Sequence, residues 1–169
     1  MIEIFFSPAK KNPSIPGKTL AIVLALIFSI FQSTNAAAAN ELILDNGEAG
    51  TSFTEKWKPW NSRGNEDNPY GKNSLYTYSA RATYTYNLDL PSAGEYQVFA
   101  WWPASSVHSD SVPYEITHQN GTSTVTVNQQ ENGGQWNQLG ATWNFDKTAT
   151  ITIRPKGVGT VIADAIMLV

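Results

Sequence analysis

The sequence contains no cysteine. This absence excludes a disulfide framework, a thiol nucleophile and a thiolate metal site, so packing or a hard metal ion must hold the fold. Charged residues are also scarce, at 15% of the 169 residues, whereas hydrophobic residues make up 41%. That balance lies far from the composition of disordered chains, and it predicts one globular core.

No apolar run is long enough to cross a bilayer as a helix. The run at 20–31 spans 12 residues and is broken only by Ser29, whereas a spanning helix needs about 20. Lys10, Lys11 and Lys18 precede it and the small residues of "STNAAAAN" follow it, which is the order of a secretory signal peptide. We therefore expect residues 1–39 to be a cleaved leader and residues 40–169 to be a secreted domain with no membrane attachment.

Basic side chains are few after the leader. Residues 41–169 hold eight Lys and Arg against thirteen Asp and Glu, which gives a net charge of −5. Nucleic-acid binding depends on abundant, clustered cations, so nucleic acid is excluded as the expected partner.

Strand-forming residues and turn residues alternate through the rest of the chain. The pattern predicts ten strands, at 41–45, 52–58, 74–79, 81–88, 95–102, 112–118, 122–128, 136–145, 148–154 and 160–169. Short strands that recur every 8 to 12 residues with Gly, Pro and Asn between them are typical of an all-β sandwich or barrel.

One hairpin can be assigned a register from the sequence. Asn120-Gly121 lies between two alternating runs, and this dipeptide favours a type I′ turn with positive φ at both central residues. A two-residue turn there sets Ile116 opposite Val125 and Tyr114 opposite Val127, with all four apolar side chains on one face.

Two adjacent tryptophans end the predicted strand 95–102. Neighbouring strand residues point to opposite faces, so Trp102 shares the apolar face with Val98 and Ala100. Trp102 is therefore predicted to lie in the core. Trp101 shares the other face with Phe99, and it is either covered by the loop at 103–111 or offered to a ligand.

Aromatic residues are more numerous than one small core needs, with six Trp and seven Tyr in the chain. Flat rings stack on sugar rings, while nearby carboxylates and amides bind the sugar hydroxyls. Long loops on rigid sandwiches often carry binding sites. The candidate ligand-binding residues are Trp57, Trp60, Tyr70, Trp101 and Trp136. For each of them, packing within the sandwich is the alternative explanation.

A catalytic site has little support. His108 and Asp110 share a loop with several serines, but residues this close in one loop are poorly positioned for a triad, and no nucleophile-elbow pattern is present. We therefore predict a domain that is not an enzyme.

Four segments resemble a known family in order and spacing: "LILDNGEAGTSF", "GEYQVFAWWPASS", "VNQQENGGQWNQLG" and "VIADAIMLV". They resemble the golvesin C-terminal-like or xanthan-lyase carbohydrate-binding-like domain. The resemblance implies a secreted bacterial β-sandwich of the galactose-binding-like, jelly-roll type that serves as an accessory module of surface enzymes. The 169 residues hold no companion catalytic domain, so a separate surface enzyme is the implied partner.

Asp164 is the one polar residue in the predicted last strand, where both alternating sets are otherwise apolar. A buried carboxylate needs compensation by N–H groups, a hydroxyl, a cation or a metal ion. Jelly-roll carbohydrate modules often hold a structural calcium near their first and last strands. Asp45, Glu48 and Asp164 would be its ligands here, together with backbone carbonyls. Hydrogen bonding of Asp164 to loop N–H groups is the alternative.

The sequence thus predicts an antiparallel β-sandwich that binds an extracellular or cell-surface polysaccharide. A structural or adhesive module that packs against another protein is the second hypothesis. Sugar binding predicts a groove with separate aromatic faces and polar neighbours, whereas a protein interface predicts one contiguous apolar patch.

Overall fold

A computed structural model describes residues 40–60 and 68–169, so the predicted leader at 1–39 lies outside the described residues. Within these residues the chain forms strands and no helix, and thus no helix that could span a membrane. The first six strands are β1 (Leu42–Leu44), β2 (Thr51–Thr54), β3 (Lys58–Pro59), β4 (Leu75–Thr77), β5 (Thr83–Asp89) and β6 (Gly94–Trp101). The other six are β7 (Val112–His118), β8 (Gly121–Val127), β9 (Asn137–Phe145), β10 (Thr148–Ile153), β11 (Val161–Ala163) and β12 (Ala165–Leu168).

The strands form two large sheets and one small sheet. The four-stranded sheet has the order β1-β12-β6-β9, and the five-stranded sheet has the order β2-β5-β10-β7-β8. The small sheet has the order β11-β4-β3. Neighbouring strands in all three sheets are antiparallel. The predicted antiparallel β-sandwich is therefore confirmed.

A single hydrophobic core lies between the two large sheets. Tyr86 and Ile151 reach it from the five-stranded sheet, and Val98 and Ile166 reach it from the four-stranded sheet, all fully buried. Trp102 follows β6 and is only 3% exposed, as the alternation predicted. Burial of such side chains stabilises the fold by roughly 1.5 to 3 kcal/mol each relative to exposure.

The predicted hairpin register is wrong by two residues. Ile116 pairs with Ser123 and Tyr114 pairs with Val125, so the turn consists of Gln119 and Asn120. Gly121 has a φ of 115°, whereas Asn120 is not among the described residues with positive φ, which excludes a type I′ turn. Because side chains repeat every two residues along a strand, the apolar residues still share one face.

Gln119 accounts for the shifted turn. Its backbone N–H donates to the Asn144 carbonyl at 2.8 Å, and its side-chain amide donates to the Asp146 carboxylate at 2.9 Å. These bonds to the end of β9 take Gln119 out of the hairpin ladder.

Two predicted strands are each divided in the structure. The segment predicted at 52–58 breaks into β2 and β3 at Glu55, which has a φ of 59°. The segment predicted at 160–169 breaks at Asp164, where the chain leaves the small sheet and enters the four-stranded sheet. The Asp164 carbonyl accepts a hydrogen bond from the buried Tyr86 hydroxyl at 2.9 Å, which anchors the break in the core.

Candidate functional site

Three of the candidate ligand-binding residues meet beside the end of β6. Trp101 lies with its ring centroid 5.8 Å from that of Tyr70 and 5.3 Å from that of Trp136, and the last two are 5.1 Å apart. Each ring is partly exposed. We call these three residues the aromatic cluster. Trp101 meets both other rings edge-to-face, and Tyr70 and Trp136 are tilted with respect to each other. Edge-to-face contacts favour a fixed geometry for the rings.

The cluster is held in place by backbone contacts of the loops that carry it. The Trp101 indole N–H donates to the Asn68 carbonyl at 2.7 Å. Gly133 and Gly134, which precede Trp136, lie too close to neighbouring atoms for a side chain. A Cβ on Gly133 would lie 2.1 Å from the Ala104 nitrogen, and one on Gly134 would lie 2.8 Å from the Asn68 Cβ. Gly133 thus lets the 131–136 loop approach Ala104, and Gly134 lets it approach the 68–70 segment.

Trp57 is a core residue rather than a surface residue. It is 8% exposed, its indole N–H donates to the Thr83 carbonyl at 3.1 Å, and its ring packs edge-on against Tyr84 at 5.2 Å. Trp57 therefore packs within the sandwich, which was the alternative to ligand contact, because its ring is covered by β5 of the five-stranded sheet. The polar residues 61–67 of the same predicted loop lie outside the described residues.

Trp60 belongs to a different surface from the aromatic cluster. It is partly buried, and its ring lies 5.5 Å from Tyr76 and 4.8 Å from the ring of His108. His108 is itself buried in the interior, whereas Asp110 is exposed. Trp60 therefore packs against Tyr76 and His108 and is not part of the aromatic cluster.

An open pocket of about 580 Å³ lies next to the aromatic cluster and shares Tyr70 with it. This volume falls within the usual range of about 300 to 1,000 Å³ for small-molecule sites. The polar side chains that line the pocket are Asp45, Asn46, Glu48, Lys72 and Asn73. Gly71 also lines it, and a Cβ there would lie 2.4 Å from a carboxylate oxygen of Asp45. Only glycine lets the 70–73 segment approach Asp45 this closely.

Asp164 lies beneath the same segment and is 1% exposed. Its Oδ2 accepts a hydrogen bond from the Tyr70 backbone N–H at 3.1 Å, while its Oδ1 has no hydrogen-bond partner among the described residues. Burial raises the pKa of Asp164 to about 8; the Tyr70 N–H lowers it and the Asp45 charge raises it. The predicted hydrogen bond to a loop N–H is present, but it satisfies only one of the two oxygens.

The predicted calcium ligands are brought only partly together. Burial also raises the pKa of Asp45, the bond from the Asn46 N–H lowers it, and the Glu48 charge raises it. Glu48, however, accepts the Asp45 backbone N–H at 3.1 Å. Among residues 40–60 and 68–169, no three His, Asp or Glu side chains converge well enough to hold a metal ion. Asp45 and the unpartnered oxygen of Asp164 fit one side of a calcium site, which would need further carbonyl or water ligands.

Sequence reasoning missed part of this surface. Asn46 and Asn73 line the pocket and are hydrogen-bonded side chain to side chain at 2.8 Å, yet they lie 27 residues apart and neither was among the predicted site residues. Asn68 also contributes only its carbonyl and its contact with Gly134, which no side-chain pattern reveals. The one sequence signal for the pocket was Gly71, a glycine between Tyr70 and Lys72, because a glycine can mark a close approach of the backbone to another segment.

The fold is a β-sandwich of the kind found in carbohydrate-binding modules. A family 35 carbohydrate-binding module from Clostridium thermocellum superposes with a TM-score of 0.54 at 14% identity, covering 77% of this chain and 98% of the module. The golvesin C-terminal domain family matches residues 42–169, and the chain belongs to that family.

Xanthan lyases contain a domain similar to this chain. The enzyme of Bacillus sp. (strain GL1) is 33% identical over 138 residues, which cover 76% of this chain but 14% of the enzyme. The structure of a Paenibacillus xanthan lyase superposes with a TM-score of 0.70 at 35% identity, covering 76% of this chain and 13% of that enzyme. The chain therefore corresponds to a small domain of these enzymes.

Proposed function

We propose that this protein is an exported module that binds an extracellular or cell-surface polysaccharide through the aromatic cluster and its adjoining pocket. The observation that carries the proposal is that Tyr70 belongs to both features. A sugar that stacks on the exposed part of a ring would place its hydroxyl groups within reach of the amides and carboxylates of the pocket. The relatives support this function because xanthan lyase is named for a polysaccharide substrate and shares this domain.

A glycan array probed with the protein recovered after export tests the proposal. We expect binding to a defined set of polysaccharides, and we expect that binding to be lost when Trp136 is replaced by Ala. Intact-mass measurement of the same sample tests the predicted leader, since the exported chain should begin near Asn40. Recovery of the uncut chain from the membrane fraction would contradict the leader prediction without affecting the binding proposal.

A protein-interaction module is the second candidate function. Ile43, Phe99 and Trp101 are partly exposed, and the strand register places Ile43 beside Met167 and Met167 beside Phe99 on the outer face of the four-stranded sheet. Met167 is itself buried, at 6% exposure, so Ile43 and Phe99 are the exposed parts of this row beside the aromatic cluster. An exposed apolar patch of this kind favours a protein partner. Phe99→Gln distinguishes the two functions, because it should weaken docking to a protein and leave glycan binding at Trp136 unchanged.

We also propose that calcium binds beside Asp45 and Asp164. The ion would neutralise the Asp164 carboxylate, whose pKa is raised by burial and by the Asp45 charge, together with Asp45 itself. A rise in melting temperature on adding calcium to chelator-treated protein, absent in Asp164→Asn, is the expected result. Equal melting temperatures with and without calcium would reject the proposal.

A further inference from the structure

A second aromatic surface lies on the small sheet. The ring of Tyr76 lies 5.4 Å from that of Tyr78 and 5.5 Å from that of Trp60, edge-on in both cases. Tyr78 is 65% exposed, which is as high as any large hydrophobic side chain of residues 40–60 and 68–169. An exposed ring of this size, held by a neighbouring ring, has no packing role that explains its position.

Two lysines share the face of these rings. Lys58 is the cross-strand partner of Tyr76, and Lys56, which precedes β3, lines the same groove as Lys58 and the two tyrosines. The intervening Trp57 and the facing Thr77 point inward, with exposures of 8% and 3%. A groove of about 210 Å³ separates the two lysines from the two tyrosines. We call Lys56, Lys58, Tyr76 and Tyr78 the lysine–tyrosine groove.

The two lysines of the groove are the main charges that it offers to a ligand. Neither lysine has an ion-pair partner in the described part of the chain, where the single ion pair joins Arg154 and Glu115. Arg81 follows Tyr78 by three residues, and Lys156 is carried by a loop that touches the same turn, since a Cβ on Gly157 would lie 3.0 Å from the Ala80 Cβ. Glu55, the residue before Lys56, is acidic and forms no ion pair within residues 40–60 and 68–169.

We propose that the lysine–tyrosine groove binds uronate units, the carboxylate-bearing sugars of an acidic polysaccharide. The aromatic faces would contact the apolar face of the sugar ring, while the two ammonium groups would meet the carboxylate in charge-assisted hydrogen bonds. Two ammonium groups that line one groove match a repeating line of charges better than one isolated anion. The inference rests on the proposed carbohydrate-binding function, but it concerns residues that take no part in the aromatic cluster.

The small size of the positively charged surface favours a polysaccharide over a nucleic acid as the ligand of the groove. Binding a single strand requires a positively charged groove that tracks several nucleotides, and the protein carries a net charge of −5 over residues 41–169. A polymer that reaches both the groove and the aromatic cluster would also bind more tightly than either site alone, because the second contact becomes intramolecular.

The experiment compares one polymer with and without its charges. Binding of the purified protein to polygalacturonate and to fully methyl-esterified polygalacturonate is measured by biolayer interferometry at two salt concentrations. We expect at least tenfold tighter binding to the charged polymer, with a loss of affinity at the higher salt. Lys58→Gln should weaken binding to the charged polymer about two- to fivefold, and Tyr78→Ala should weaken it about fivefold or more.

Lys147→Gln is the matched control, because Lys147 is equally exposed and its replacement removes the same charge from a turn outside the groove. It should leave affinity unchanged, and Lys58→Arg should retain most of the wild-type affinity. Equal affinity for the two polymers, or equal effects of Lys58→Gln and Lys147→Gln, would overturn the proposal. Tighter binding to oligothymidylate, lost in the same variants, would overturn it in favour of a nucleic-acid site. If the groove proposal is overturned in this way but Trp136→Ala still abolishes binding of a glycan found on the array, the proposed carbohydrate-binding function stands.

Discussion

The two large sheets enclose one core but carry different outer faces. On the five-stranded sheet the outward side chains are mainly threonines, and their hydroxyls bond across the strands. Thr85 meets Thr152 at 3.2 Å, and Thr117 meets Thr122 at 3.2 Å. On the four-stranded sheet, Phe99 and Trp101 occupy the outward positions of β6.

The difference shows where a ligand would gain most. The paired threonines satisfy each other's hydrogen bonds, so a ligand on that face would have to replace bonds already made. The aromatic face leaves apolar ring surface partly exposed to water, and covering it is favourable without breaking any bond. A strand pattern of period two produces both faces, and only the chemistry of the outward residues distinguishes them.

Replacing Trp101 and Trp102 by alanine, one at a time, is the prediction with the largest expected effect. Trp102→Ala should lower the free energy of unfolding by roughly 3 to 5 kcal/mol, because it removes a large core side chain. It also leaves the Glu131 carbonyl without its indole donor, which lies at 3.0 Å. Trp101→Ala should leave the fold intact. Denaturant unfolding of both variants measures the difference. A greater loss of unfolding free energy for Trp101→Ala would show that Trp101, and not Trp102, faces the core.

The pH dependence of stability tests the buried carboxylate beneath the cluster. A free aspartate loses its proton near pH 3.8, whereas Asp164 in the folded protein has a pKa of about 8. The folded state therefore holds a proton that the unfolded chain has released, and unfolding free energy falls as pH rises from about 4 to about 8, by up to about 1.4 kcal/mol per pH unit.

Asp164→Asn should flatten this fall when stability is measured by denaturant unfolding in the presence of a chelator. Asp146→Asn, at an exposed turn, is the control and should keep the wild-type slope. Identical slopes for the wild type and Asp164→Asn would show that Asp164 does not hold its proton in this way.

Binding on the aromatic face is expected to depend on single rings. Trp136→Ala and Trp101→Ala should each weaken a glycan found on the array by about 1 to 3 kcal/mol, the range known for stacking of bases on aromatic side chains. Thr124→Val changes an exposed residue on the threonine face and should leave the affinity unaltered. Calorimetric titration measures all three. A loss of affinity in Thr124→Val equal to that in Trp136→Ala would contradict binding at the aromatic cluster, because Thr124 lies on the five-stranded sheet.

The smallest expected effect concerns the hairpin that borders the threonine face. Gly121→Val should destabilise the protein by roughly 1 to 2 kcal/mol, because a β-branched residue resists a φ of 115°. Asn120→Ala should change stability by less than about 0.5 kcal/mol, as is usual for exposed sites. Thermal melts distinguish the two. An equally large effect at Asn120 would favour the type I′ turn that the sequence suggested.

Much of the fold could be predicted because strand periodicity is local. The alternation of residues 95–102 placed Val98, Ala100 and Trp102 in the core, and the exposures of 0%, 0% and 3% confirm it. The same rule failed at the hairpin, since a shift of two residues leaves every side chain on the same face. Only the contacts of Gln119 with the end of β9 selected the observed register.

The candidate site could be predicted residue by residue but not as an assembly. Sequence composition indicated Tyr70, Trp101 and Trp136, yet it also indicated Trp57, whose inward position depends on its contacts with Thr83 and Tyr84 of β5. Asp164 could be recognised as exceptional, but its hydrogen bond to Tyr70 joins residues 94 positions apart.

The sequence by itself determined the class of fold, the core face of each main strand and the identity of the aromatic residues, because these follow from composition and a period of two. The tertiary structure decided which aromatics meet, where the chain breaks at Asp164 and which hydrophilic residues line the pocket. Those outcomes depend on loops converging from distant parts of the chain. Their close approach is permitted by Gly71, Gly133 and Gly134, where a single added carbon would lie within 3 Å of a neighbouring atom.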